Sequence, residues 1–413
     1  MSSFEDLDVA FNVKLYKMLR IYDIFDPKST KIFGYNYYRC TGIIITVLTQ
    51  LYVLFGLTGY LIPMEDTINY IEQSMLIFVG SVNFLAAIKT CVIIYKANNT
   101  WDLFDVTRIN FLKSKQCCKY RNKILEKVRN KSIRLTNFIF VFAIISWTIW
   151  MIYPLVMNFY LMTTDQNNHQ YYQSILYLRY PVTTNNYNQY YFVFYTTEGI
   201  LAFGIIYYSI LIDTVLVSFC WVFIAQYEIL SEAFGNIKYD DKEKDGSIKA
   251  YNDFLSVLND QRRLNSKLKL YYSIVLHMVL TYVVFCSCSI IALTYSFIMT
   301  CISTNESSPL FFKIKIITPI ILLLFQLFLY CYFFGLINLK KESVIYGMFS
   351  CDWTSMDLKF KKLLLLSMRM NGADKLMLKA TPTKIINLEF FVKVMITTYN
   401  IVSVMLNSLN SKT

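Results

Sequence analysis

Residues 388–409 read LEFFVKVMITTYNIVSVMLNSL, and this stretch indicates what kind of chain this is. A helix needs about 20 apolar residues to cross the hydrocarbon core of a bilayer, and the stretch is of that length. Polar side chains nevertheless interrupt it, at Lys393, Thr397, Thr398, Tyr399, Asn400, Ser403 and Asn407. Each polar group costs free energy in hydrocarbon unless it is paired or hydrated. The stretch therefore predicts a membrane helix that either hydrogen-bonds to its neighbours or lines a water-filled path.

The second alternative places a pore gate in this helix. Val402 and Leu406 are four residues apart, so they share one face of the helix. A ring of such apolar side chains can close a pore by expelling water from it. If the helix lines a path for ions, we expect Val402 and Leu406 to form the gate.

The rest of the chain has the composition of a membrane protein. Of its 413 residues, 55% are hydrophobic and 16% are charged, whereas a soluble chain carries about 25% charged residues. Long apolar runs recur, and we interpret them as seven spans. The spans are 41–62, 70–95, 135–161, 191–223, 271–301, 315–338 and 388–409. The predicted fold class is all-α, a polytopic membrane protein with seven transmembrane helices.

The charges of the connecting segments predict the orientation. Lys and Arg are concentrated in 1–39, 96–134, 224–270 and 339–387. The alternate segments 63–69, 162–190 and 302–314 each contain at most one. Basic segments remain on the cytoplasmic side, so we expect a cytoplasmic N-terminus and an extracellular C-terminus. This orientation is the reverse of that of a G-protein-coupled receptor. Because the basic residues cluster in the cytoplasmic segments, the net charge of +12 indicates contact with the membrane surface rather than with nucleic acid.

No pattern of catalytic residues is present. The chain has no glycine-rich phosphate loop, only two histidines and no CxxC pair, so we expect no enzyme activity, no cofactor and no metal site. We expect the ten cysteines to be mostly free thiols, because they fall in apolar runs and basic loops. Among the Asn-x-Ser/Thr sequons, only Asn305 falls on the extracellular side by this topology, which makes it the predicted glycan acceptor.

Four spans carry small polar and aromatic side chains on one helical face each. They are Ser74, Ile77, Phe78 and Ser81 in the second span, Ser146, Trp150 and Tyr153 in the third, Thr196, Ile200, Phe203 and Tyr207 in the fourth, and Thr318, Ile321, Leu322 and Phe325 in the sixth. Any one stripe could be ordinary helix packing. Together they predict the walls of one apolar cavity for a small, volatile ligand, namely an uncharged ester, alcohol or terpenoid.

Charged residues inside the spans are few, and we interpret them by their distance from the span ends. We expect Lys89 and Glu198 to lie near span ends, where their charges reach the headgroups. Asp213 is interpreted as structural, at the inner end of the fourth span.

Two basic segments outside the spans predict further helices. Residues 249–269 continue into the fifth span, and residues 359–370 read KFKKLLLLSMRM. Such helices either lie against membrane lipids or form the base of an assembly. The predicted regions are therefore 1–338 with six spans and the cavity, 339–387 as a cytoplasmic anchor, and 388–413 as the last helix and tail.

The final 90 or so residues contain a series of short motifs. They are CYFFG at 331–335, ES at 342–343, IY at 345–346, Trp353, KKLLL at 361–365, MR at 368–369, LKA at 378–380 and TYNIVSVML at 398–406. In these motifs and their order the sequence resembles the insect odorant receptor family. The resemblance implies a ligand-gated, non-selective cation channel in the plasma membrane of sensory neuron dendrites, assembled as a heterotetramer with a co-receptor. It also implies a gate at Val402 and Leu406, a cytoplasmic anchor, and an odorant pocket in the outer half of the spans.

Two departures narrow this resemblance. The co-receptor carries a long insertion between its fourth and fifth spans, whereas this chain has only the short segment 240–246 there, so it resembles a ligand-tuning subunit. Gustatory receptors of the same superfamily end in Thr-Tyr, five residues, then Gln-Phe. Here Met405 and Leu406 stand at those last two positions, which weakens that alternative. A secondary transporter is a further alternative, but it predicts repeated halves, and no internal repeat is visible.

Overall fold

The computed structural model describes residues 11–32, 34–61, 70–164, 172–239, 246–302, 310–373 and 376–410. Within these ranges the chain is almost entirely helical. The helices are α1 (Val13–Met18), α2 (Ile21–Phe25), α3 (Tyr37–Thr58), α4 (Tyr70–Tyr95), α5 (Ala97–Leu103), α6 (Lys115–Thr164), α7 (Thr184–Gln189), α8 (Tyr191–Gly235), α9 (Gly246–Ile302), α10 (Leu310–Phe349), α11 (Leu358–Ala373) and α12 (Leu388–Asn410). A two-stranded antiparallel ribbon, β1 (Lys31–Ile32) and β2 (Tyr35–Asn36), precedes α3.

Seven of the described helices are long and apolar enough to cross a membrane: α3, α4, α6, α8, α9, α10 and α12. They coincide with the seven spans predicted from hydropathy, so the predicted fold class is confirmed. Four of them, α6, α8, α9 and α10, contain between 40 and 57 residues. At about 1.5 Å per residue, a helix of that length is far longer than the roughly 30 Å hydrocarbon core. These helices therefore continue out of the membrane.

The extensions form a second helical region. It lies at the end of the bundle that carries the basic segments, and we call this end the basic end. The predicted continuation of 249–269 into the fifth span is the first half of α9. The predicted amphipathic helix at 359–370 lies within α11. Phe360 of α11 is fully buried and meets Phe254 of α9 edge to face, with ring centroids 5.1 Å apart. One face of α11 thus packs on the protein itself.

The opposite face of α11 is uncovered and carries both apolar side chains and the exposed basic residues Lys359, Lys362 and Arg369. Leu358, Leu365, Leu366 and Met370 are each more than half exposed, and Tyr346 and Phe349 near the end of α10 are exposed as well. Large apolar side chains grouped on a surface mark a site that contacts either lipid or another protein. The basic end therefore has a face that a single chain leaves open.

Helix α8 occupies the centre of the bundle and packs against α6 and α10 more extensively than against any other helix. Its sequence is apolar on all sides, as is typical of a helix surrounded by others. From Leu211 to Phe234 almost every side chain is buried. The core of the protein therefore extends from the membrane region into the basic end along α8.

Helices α8 and α10 approach closely at Gly347. A β-carbon there would lie 2.9 Å from both Cα and Oγ of Ser231, and closer still to the carbonyl oxygen of Ser231. Real side chains do not make such contacts with backbone atoms, so the two helices would have to separate. We expect Gly347→Ala to destabilise the protein by about 1–3 kcal/mol, measured as a lower melting temperature of the purified protein in detergent.

Gly80, in α4, is the matched control for this substitution. A β-carbon at Gly80 has no atom within 4 Å. Since alanine favours a helix interior over glycine by about 0.5–1 kcal/mol, Gly80→Ala should leave the melting temperature unchanged or raise it. Equal melting temperatures for the two variants would contradict the close approach of α8 and α10.

Candidate functional site

A cavity of about 210 Å³ lies inside the membrane region, between α4, α6, α8 and α10. Ile175 and Leu176, from the segment between α6 and α8, close it at the end away from the basic end. Most of its wall is apolar, with Ile139, Phe142, Val82 and Leu329 among the lining residues. A mainly apolar cleft or cavity with a few polar groups is the usual form of a small-molecule site.

Several side chains predicted from the sequence to bind a ligand lie in this wall. They are Phe78, Ser146, Trp150, Leu322 and Phe325. Phe78 and Trp150 contact each other, with ring centroids 5.6 Å apart, and together form an aromatic corner of the cavity. Side chains from α4, α6 and α10 thus meet around one space.

Other predicted residues do not line the cavity. Ile77, Ile200 and Ile321 are at least half exposed and point outward from the bundle. Thr196 is also exposed, and its hydroxyl donates to the carbonyl oxygen of Phe192.

Phe203 and Tyr207 line a separate apolar groove between α6 and α8. The cavity face of α8 instead contains Ala202, Ile205, Ser209 and Asp213. The face of α8 that lines the cavity is therefore rotated about the helix axis from the face that the sequence predicted.

Four further predicted residues are buried in helix packing outside the cavity wall. They are Ser74, Ser81, Tyr153 and Thr318. The hydroxyl of Ser81 lies 2.5 Å from that of Ser289 on α9, and the hydroxyl of Thr318 donates to the carbonyl oxygen of Ile314. These small polar groups serve the contacts between and within helices.

The cavity floor, its end toward the basic end, contains an ion pair. The Lys89 ammonium lies 2.8 Å and 2.9 Å from the two carboxylate oxygens of Asp213. Lys89 is only 2% exposed, so the expectation that its charge reaches the headgroups is wrong. Tyr330 donates to Oδ1 of Asp213 at 2.5 Å, and Gln326 donates to Oδ2. This network joins α4, α8 and α10 through the carboxylate of Asp213.

A second buried carboxylate binds the segment with Ile175 and Leu176 that closes the cavity, which we call the roof. Glu198 is fully buried and accepts hydrogen bonds from the backbone N–H groups of Ile175 at 2.7 Å and Leu176 at 3.1 Å. The Tyr180 hydroxyl donates to its other oxygen at 2.5 Å. Because Glu198 is buried, the expectation that it reaches the headgroups is wrong too. Its carboxylate fixes the segment that closes the cavity.

A third charged residue, absent from the sequence predictions above, lies beside the roof. Lys315 of α10 is fully buried, and its ammonium group is 4.9, 4.3 and 4.2 Å from the ring centroids of Trp150, Tyr153 and Tyr177. An ammonium above an aromatic face is attracted by the ring quadrupole, more strongly where water is excluded. Glu198 is near enough to attract it electrostatically, but among the described residues no hydrogen bond reaches the Lys315 ammonium. A lysine at the start of a predicted span is expected to extend to the lipid headgroups. The sequence alone therefore does not indicate that Lys315 is buried among aromatic rings.

Helix α12 is the least buried of the seven candidate membrane helices. It packs on α9 and α10, and Thr398 and Val402 are buried on that side. Val392, Ile396, Tyr399 and Val404 are more than half exposed on the other side. Leu406 is half buried. In the single chain Val402 therefore faces its own bundle and not the open side, which is not the placement that the gate prediction implied.

Lys393, one of the polar residues that interrupt the last span, forms an ion pair with Glu389 one turn earlier, at 2.5 Å, on the exposed surface of α12. Asn305 lies outside the described residues. Among the described residues, no group of three or more His, Cys, Asp or Glu side chains is placed to hold a metal ion.

Comparison with known proteins gives a consistent result. The sequence model of the family described as "7tm Odorant receptor" matches residues 68–399, and no curated protein sequence matches the chain. Two solved structures of the insect olfactory receptor OR5 from Machilis hrabei share the fold at 12% sequence identity. One has a TM-score of 0.72 and covers 95% of this chain and 98% of its own. The other, in complex with eugenol, has a TM-score of 0.75 and covers 96% of this chain and 99% of its own.

Proposed function

Because the chain belongs to the insect odorant receptor family, a family of ligand-gated channels and not of enzymes, we propose that it is the ligand-tuning subunit of an odorant-gated cation channel. In this proposal a small volatile molecule binds in the cavity between α4, α6, α8 and α10. Its binding energy shifts the channel toward the open state, since a ligand moves a conformational equilibrium by its difference in affinity for the two states.

The cavity is the observation that carries the proposal. Ile175 and Leu176 close one end of it, and its walls are mainly apolar and aromatic side chains. Its volume of about 210 Å³ suits a molecule with few heavy atoms. The Machilis hrabei receptor bound to eugenol is a member of the same fold that accepts a small aromatic molecule. An uncharged ester, alcohol or terpenoid is therefore the proposed class of ligand.

The proposal of a multi-subunit channel is supported by the surfaces that the single chain leaves open. Most of α12 is uncovered, and the face of α11 that carries Leu358, Leu365, Leu366 and Met370 is exposed outside the membrane spans. Partner subunits would cover both, and an odorant co-receptor in a heterotetramer is the proposed partner. Only residues 236–245 separate α8 from α9, so the chain has no long insertion there and is proposed to be the tuning subunit.

The proposed orientation is supported by the basic segments, which favour a cytoplasmic N-terminus, an extracellular C-terminus and a cytoplasmic anchor region 339–387. The plasma membrane is the proposed location, as the resemblance to odorant receptors implies. Asn305 remains the proposed glycan acceptor. The gate proposed at Val402 and Leu406 requires α12 to turn on assembly, since in the single chain Val402 packs toward α9 and α10.

The test is to co-express the chain with an insect odorant co-receptor and to record whole-cell current during application of phenols, alcohols and esters. We expect a ligand-dependent current that carries Na⁺ and K⁺ alike and that is absent from cells with the co-receptor alone. Full surface expression of both subunits without current from any compound would contradict the proposed function.

A further inference from the structure

We propose that the floor of the cavity binds a hydroxyl group of the ligand through Ser209 and Gln326, so that the receptor prefers alcohols and phenols to ethers of the same shape. This inference rests on the proposed function, because it places the ligand in the cavity described above. It adds which functional group the ligand carries and which end of the cavity that group occupies.

The first observation is a hydroxyl group with an unused proton. In helices, serine and threonine hydroxyls commonly donate to a backbone carbonyl one turn earlier. Ser146 does so to Phe142 at 2.9 Å, and Ser287 does so to Val283 at 2.7 Å. Within the described residues, the hydrogen bond of the Ser209 hydroxyl is one that it accepts, from Lys89 at 3.4 Å. Its own proton is therefore available to a ligand, and Ser209 lines the cavity.

The second observation is an amide oxygen with an unused acceptor site. An ionised carboxylate only accepts hydrogen bonds, so the amide of Gln326 must present its NH₂ group to Asp213. This fixes the orientation of the amide and leaves its Oε1 on the other side. In the part of the chain that the structure describes, no hydrogen-bond donor reaches Oε1. This oxygen is also not one of the fully buried side-chain atoms that lack a partner, so it is open to the cavity. Because Gln326 lines the cavity, Oε1 is an acceptor that a ligand can reach.

The neighbouring charges are already satisfied, which excludes other ligand groups. Oδ1 of Asp213 accepts from Lys89 and Tyr330, and Oδ2 accepts from Lys89 and Gln326. A carboxylate offers about four acceptor sites, so none remains for the ligand. Its charge is balanced by Lys89. Among the described lining residues Asp213 is the one charged side chain, so the charge of an amine or an acid would stay uncompensated.

A neutral hydroxyl fits both groups at once. It accepts from Ser209 through its oxygen and donates to Gln326 through its hydrogen. An ether or ester oxygen can only accept, so it leaves Oε1 of Gln326 without water and without a partner. A buried polar group left unpaired costs more than the mean value of a hydrogen bond. The hydrocarbon body of the ligand would then lie toward the aromatic corner of Phe78 and Trp150.

The experiment uses matched pairs of compounds on the chain co-expressed with a co-receptor. Eugenol and methyl eugenol differ only in O–H against O–CH₃, and a second pair is a straight-chain alcohol and its methyl ether. Dose-response curves for current give a sensitivity ratio for each pair. We expect the wild type to be at least about tenfold more sensitive to the hydroxyl compound.

Two variants and one control locate this preference. Ser209→Ala and Gln326→Met should bring the ratio close to one, mainly by lowering sensitivity to the hydroxyl compound. Ser287→Ala removes a helical hydroxyl outside the cavity wall and should keep the wild-type ratio. Since the ratio is taken within one variant, a general loss of folded protein does not change it. Surface labelling measures that loss separately.

The outcomes separate this inference from the proposed function. A wild-type ratio near one, or a ratio unchanged in both variants, would overturn the hydroxyl site while leaving the receptor function in place. No current from any compound, with both subunits at the surface, would overturn the proposed function and this inference with it.

Discussion

Replacing Lys89 with methionine is expected to destabilise the protein by about 3–5 kcal/mol, because it leaves the Asp213 carboxylate buried without its counter-charge. Lys89 is 2% exposed and Asp213 is 13% exposed, so water reaches neither group freely. Tyr330 and Gln326 would still donate to the carboxylate, but neither carries a positive charge. We expect most Lys89→Met protein to be retained inside the cell, and the purified remainder to melt at a clearly lower temperature.

Two further variants test the electrostatic origin of this effect. The double variant Lys89→Met with Asp213→Asn removes both charges and should recover much of the lost stability. Lys393→Met breaks an ion pair of similar length on the surface of α12, where both side chains are at least 60% exposed. Surface ion pairs contribute little, so its melting temperature should be close to the wild type. If Lys89→Met and Lys393→Met behaved alike, Lys89 and Asp213 would not form a buried pair.

Truncation of Phe78 is expected to have the largest effect on ligand sensitivity. Its ring lines the cavity and contacts Trp150, so Phe78→Ala removes apolar surface that a bound ligand would cover. Burial of a phenylalanine side chain contributes about 1.5–3 kcal/mol, and about 1.4 kcal/mol corresponds to a tenfold change. We expect the dose-response curve of the co-expressed channel to shift to higher ligand concentrations, by a factor of about ten or more.

The neighbouring residue supplies the control. Ile77 is on the same helix but is 53% exposed and points away from the cavity. Ile77→Ala should therefore leave the dose-response curve in place. A shift in Ile77→Ala together with an unchanged curve in Phe78→Ala would show that the ligand binds on the other face of α4.

The seven spans could be predicted from sequence because a bilayer imposes one simple requirement. Each crossing segment must be apolar over about 20 residues, and composition shows that directly. The continuation of α9 from 249–269 was also predictable, since leucine and phenylalanine recur there at helical spacing. These features depend only on neighbours along the chain.

The rotation of α8 was not predictable in this way. Its sequence is apolar on all sides, so no face stands out. The prediction therefore followed hydroxyl and aromatic side chains such as Thr196 and Phe203, and these lie outside the cavity. The true lining face contains Ala202, Ile205 and Ser209, which would look like ordinary packing residues in any sequence.

The buried charges were missed because their partners are far apart in sequence. Lys89 and Asp213 are 124 residues apart, and nothing local in either helix indicates the other. Each alone was interpreted by its distance from a span end. Glu198 and Lys315 show the same limit, since the roof segment that Glu198 binds is an irregular stretch between two helices.

The central claim is that a ligand in the cavity between α4, α6, α8 and α10 opens the channel. The most direct test is a structure of the chain assembled with its co-receptor, determined with and without eugenol or the best agonist from the compound panel. We predict ligand density between Phe78, Trp150 and Ser209, with the hydroxyl toward Gln326, and a wider path along α12 in the ligand-bound state. Ligand density at another site, with this cavity unchanged between the two states, would contradict the claim.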